Sequence, residues 1–93
     1  MDKNQPYANL VSHIFIQLFD HIEHPRTIVP NPGTVLPEKK QRIMTNWLKE
    51  VIEWAEDDNN FWLEAYETFL EYDRRTIKKI IIEKAKNKLK QLQ

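Results

Sequence analysis

The sequence contains no cysteine, a single glycine and no proline beyond Pro37, and each shortage removes a class of structure. Without cysteine there is no disulfide framework, no thiolate zinc site and no thiol nucleophile, which makes a reducing compartment, the cytoplasm, the expected location. With Gly33 as the only glycine, a glycine-rich phosphate loop cannot be assembled. Long apolar runs are missing as well. The most apolar stretch, Leu10 to Phe19, is interrupted by Ser12, His13 and Gln17 and falls well short of the ~20 residues that span a bilayer. The start of the chain carries neither a basic leader nor a small-residue cleavage motif, so no membrane attachment is expected.

What is present favours helix. Lys, Glu, Leu, Ile, Gln and Ala dominate, and nothing after Pro37 is obliged to break a helix. A chain of 93 residues is expected to form one domain with a thin core, since at this size folding buries only about 60–65% of the unfolded surface. The predicted fold is all-α: a short N-terminal helix, an extended proline-rich strap, then a long helical hairpin.

After a polar start at 1–6 that is expected to fray, Leu10, Val11, Ile14, Phe15, Leu18, Phe19 and Ile22 recur every three or four residues and predict a helix over about 7–23. Pro25 ends it, because the residue before a proline is pushed out of the α region. Residues 25–37 carry four prolines and the glycine. If polyproline-like, at ~3.1 Å per residue, they would reach ~40 Å. Pro37 suits the first turn of a second helix, about 38–57, whose stripe is Ile43, Met44, Trp47, Leu48, Val51, Ile52, Trp54 and Ala55. Asp57, Asp58, Asn59 and Asn60 favour a turn, with Asn59 or Asn60 capping a third helix over about 60–92. One unbroken rod from Pro37 onward is the alternative, since neither Gly nor Pro enforces that turn.

Net charge is zero, yet the charges are sorted. From Glu50 to Asp73 there are acids and no Lys or Arg, whereas Arg74 to Gln93 holds many bases and only one acid, Glu83. A hairpin would gather the acids at its tip and the bases at its open end, leaving two unlike poles. The end of the longer third helix would overhang the second, with its apolar stripe continuing through Ile81, Ala85, Leu89 and Leu92. Both features suggest a homodimer.

Catalytic and metal chemistry find little support. His13, Asp20, His21, Glu23 and His24 resemble a ligand cluster, but groups separated by several helical turns cannot converge on one ion with ~2.1 Å bonds. Glu50, Glu53, Glu64 and Glu67 offer carboxylate pairs without a cleft to perturb them. No catalytic residue, metal or cofactor is therefore expected. The aromatics are more informative: most lie between Trp47 and Tyr72, inside the acidic block, and the consecutive Phe61, Trp62 and Leu63 cannot all face one core. The expected function is a small non-catalytic interaction module, a regulator, adaptor or accessory subunit, that binds another protein through Trp54, Trp62, Tyr66, Glu64, Glu67 and Glu71. The alternative is a nucleic-acid-associated protein, with Arg75, Lys79, Lys86 and Lys90 along one side of the last helix contacting phosphates.

Overall fold

A computed structural model describes residues 5–92. All regular structure among them is helical: α1 (Gln5–Glu23), α2 (Pro37–Glu56), α3 (Phe61–Leu70) and α4 (Arg74–Leu92), with two short 3₁₀ turns, Pro25–Ile28 and Pro32–Thr34, between α1 and α2. The all-α expectation holds. The fray expected at 1–6 lies mostly outside the described residues, and Gln5 and Pro6 belong to α1. Proline is tolerated there because a first helical turn has no N–H partner to lose.

The connector is not the extended strap that its prolines suggest. Thr27 donates both its backbone N–H and its hydroxyl to the His24 carbonyl, at 3.0 and 2.7 Å. Thr34 does the same to Asn31, at 3.0 and 2.9 Å, with Asn31 in the left-handed region. These threonines curl the chain after Pro25 and after Pro32, and no long reach is needed. His21 near the end of α1 meets Trp47 at the middle of α2, ring centroids 6.4 Å apart, while Phe15 meets Trp54 further along it at 6.3 Å, so the helices run in opposite senses and the gap is short. Pro25 and Val29 are buried, whereas Leu36 is 74% exposed.

The turn at 57–60 forms as its residues imply. Asn59 N–H donates to the Asp57 carboxylate and Asn60 N–H to the Asp57 carbonyl, at 3.0 and 3.2 Å. The helix expected over 60–92, however, is two helices. Glu71 adopts φ 58° and ψ 31°, a left-handed C-cap whose N–H still reaches the Glu67 carbonyl. Asp73 then starts α4 by accepting from the Arg75 N–H at 3.1 Å and the Thr76 hydroxyl at 3.2 Å. Glu67 adds a third bond, its carboxylate accepting from the Arg74 N–H at 3.1 Å.

This corner changes how the helices pair. The Gln41 side chain donates to the Leu92 carbonyl near one end of α2, and Asp57 and Asp58 face Arg74, Arg75 and Lys78 at the other, so α4 lies antiparallel along α2. Its length matches α2, and the expected overhang does not exist. Meanwhile α3 lies along α1: Tyr7 stacks on Phe69 at 5.5 Å, and Phe15 meets Tyr66 at a tilt, ring centroids 4.6 Å apart. One core joins all four helices, with Val11, Phe15 and Ile22 from α1, Leu48, Val51 and Ala55 from α2, Leu63 and Ala65 from α3, and Ile77, Ile81 and Ala85 from α4.

Candidate functional site

On α2, Trp47, Glu50, Val51 and Trp54 stand at i, i+3, i+4 and i+7, which places them on one face. Across from them α1 contributes Ile14 and Leu18, one turn apart, and α3 contributes Trp62. Together these seven residues line an open groove of 340 Å³. The chain has three tryptophans, and all of them wall this one groove.

Each indole is held by a neighbouring ring. Trp47 receives His21 edge-on, Trp54 lies 6.3 Å from Phe15, and Trp62 meets Phe61 edge-on at 5.3 Å. Asn60 fixes the relation between the second and third. It is only 5% exposed, its amide donates to the Trp54 carbonyl at 2.6 Å, and its oxygen accepts from the Trp62 and Leu63 N–H groups at 3.0 and 3.1 Å. A buried side chain with every polar atom engaged is a rigid strut, and here it joins the backbones behind two groove walls.

The six residues predicted to bind a partner fall in two places. Trp54 and Trp62 face the groove. Tyr66 instead packs on Phe15 and Tyr72, at 4.6 and 5.9 Å; burial, reinforced by Tyr72, raises the Tyr66 hydroxyl above its ordinary pKa of 10.0. Glu64, Glu67 and Glu71 are exposed, but Glu67 and Glu71 build the α3–α4 corner and are engaged there. Trp47, Ile14 and Leu18 were missed as site residues. The i, i+3, i+4, i+7 row on α2 was a legible signal for Trp47, whereas the side of α1 that meets it depends on tertiary packing.

The basic set divides too. Lys79, Lys86 and Lys90 are exposed along α4. Arg75, with Arg74 and Lys78, shares a 190 Å³ cleft with Asp57 and Asp58, so the acidic tip expected to stand unopposed already faces bases of its own chain. The corner causes this, by returning the start of α4 to the 57–60 turn. The opposite end stays basic, with Lys40 of α2 and Arg26 of the connector around a cleft of 580 Å³.

The histidines have local roles. His13 Nε2 pairs with the Gln17 amide at 3.0 Å. His21 Nδ1 lies 2.6 Å from the Thr27 hydroxyl, whose proton is directed to the His24 carbonyl, so the hydroxyl accepts and His21 carries its proton on Nδ1. Among the described residues no group of three or more His, Cys, Asp or Glu is placed to hold a metal ion, and no helix is long and apolar enough to cross a membrane. Compared with known protein families, curated proteins and solved structures, the chain matches none.

Proposed function

We propose that the protein is a small helical interaction module whose working surface is the tryptophan groove between α1, α2 and α3. The observation that carries this is the gathering of all three tryptophans, each half-buried, around one open cleft. A thin core would gain more by burying such rings fully. Half-exposed indoles in a preformed groove are instead the side chains that contribute most to protein–protein affinity, because they offer large contact area at little entropic cost.

Both earlier grounds for a homodimer are gone: no apolar overhang needs covering, and the acidic tip meets bases within the chain. The partner proposed here is therefore a different protein. The nucleic-acid alternative is weakened in the same way, since Arg75 sits beside Asp57 and Asp58 and leaves three lysines as the stripe.

The test is a comparative purification of partners with wild-type chain, with Trp62→Ala, and with Lys86→Glu, all checked for retained helicity. The groove reading expects a partner held by wild type and Lys86→Glu and lost by Trp62→Ala. Retention by Trp62→Ala with loss from Lys86→Glu would contradict it in favour of the basic stripe.

A further inference from the structure

Resting on that reading, we infer that the groove accepts a basic amphipathic helix: a partner segment with apolar anchors on one face and Lys or Arg beside them.

The charge comes from the surroundings of the groove. No Lys or Arg occurs anywhere in α1 or α3, and none lines the cleft. On α2, Glu50 and Glu53 stand about one turn apart, both exposed, and Glu50 is itself part of the lining. They form an acidic rail beside the indoles, running toward the tip. A cationic side chain leaving an anchored helix meets this rail on one side and the faces of the tryptophans on the other, and both attract it. An acidic segment is repelled by the same two carboxylates.

The secondary structure of the occupant follows from the backbone. The groove is walled by helices, whose N–H and C=O groups are already paired internally. An extended segment placed there would find no edge to pair with and would bury unsatisfied backbone groups, whereas a helix satisfies its own. From Trp47 to Trp54 is about two helical turns, ~10 Å, room for two or three anchors spaced at i, i+3 or i+4, and i+7.

A second copy of this chain does not fit the description. Its one strongly basic helix is α4, and α4 commits Ile77, Ile81 and Ala85 to its own core. Detaching that row would unfold the donor. The occupant is thus a helix from elsewhere.

The test is selection from a displayed library of helical peptides, with charged positions free to vary, against the intact chain. Winners are then titrated while tryptophan emission is followed, which reports on this groove alone because no tryptophan lies outside it. Winners enriched in Lys and Arg are expected to shift emission to the blue and to lose at least tenfold in affinity against Glu50→Lys/Glu53→Lys. Winners that move the emission but are neutral or acidic would overturn the basic-helix inference and leave the groove reading standing. Winners that bind without moving the emission, or no winners at all, would overturn both. Emission that depends on protein concentration alone, together with a dimeric hydrodynamic size, would make a second copy the occupant, overturning this inference and the choice of a different protein as partner while leaving the groove as the working surface.

Discussion

The Asn60 side-chain amide donates to the Trp54 carbonyl at 2.6 Å while its oxygen caps α3, so one buried side chain both ends the α2–α3 turn and sets two walls of the groove. Replacing it by alanine removes the cap and leaves the Trp54 carbonyl with only the longer bond from the Asp57 N–H, at 3.3 Å, and is expected to cost about 2 kcal/mol. Asn60→Ser keeps a capping oxygen but cannot make the same link to Trp54, and should lose about 1 kcal/mol. Urea unfolding of the two variants measures this. Asn60→Ser as stable as wild type would show that the Trp54 bond contributes nothing.

The α3–α4 corner makes a prediction of opposite sign from the one a straight helix makes. Glu71 lies in the left-handed region, where a side chain is strained by ~1–2 kcal/mol relative to glycine. Glu71→Gly should therefore stabilise the protein, by about 0.5–1 kcal/mol after the added freedom of the unfolded chain is subtracted. Were 60–92 one continuous helix, the same change would destabilise it by about 1 kcal/mol. The direction of the shift in the unfolding midpoint decides between the two.

Helices, turn and cap were legible in the sequence where chemistry and periodicity agreed. Pro25 marks the end of α1, Pro37 the start of α2, and Asn60 is a strong N-cap before an apolar run. The corner was hidden because Glu71 takes a left-handed conformation without glycine, and the apolar spacing from Leu70 to Ile77 continues across it in helical phase. Its one signal was Asp73. An acid occupying a position on the apolar stripe, followed three residues later by Thr76, is better read as a helix start. The connector misled for a different reason. Prolines fix φ but not ψ, and Thr27 and Thr34 supply the hydrogen bonds that turn a potential strap into two tight bends. As for the site, Trp54 and Trp62 were identifiable as aromatics in an acidic block, while Ile14 and Leu18 joined them only once α1 was packed.

Tyr66 offers a test of the packing between α1, α3 and the corner. Its hydroxyl pKa is raised first by burial and then by the neighbouring Tyr72, so the folded chain keeps a proton that the unfolded chain loses near pH 10.0. The stability this contributes is complete below the unfolded value and is lost as pH rises through the folded one. Phenolate absorbance should show one tyrosine titrating late, and Tyr72→Phe should bring it back toward its ordinary range. A Tyr66→Phe variant whose stability falls just as steeply on alkaline titration would contradict this assignment.

The central claim is that the tryptophan groove is where a protein partner binds. Its most direct measurement places a photo-crosslinking benzoylphenylalanine at position 14, on the α1 wall of the groove, and separately at position 86, on the exposed side of α4, in the native source. Irradiation is expected to give a discrete protein adduct from position 14 and none from position 86. Adducts from position 86 with none from position 14 would contradict it.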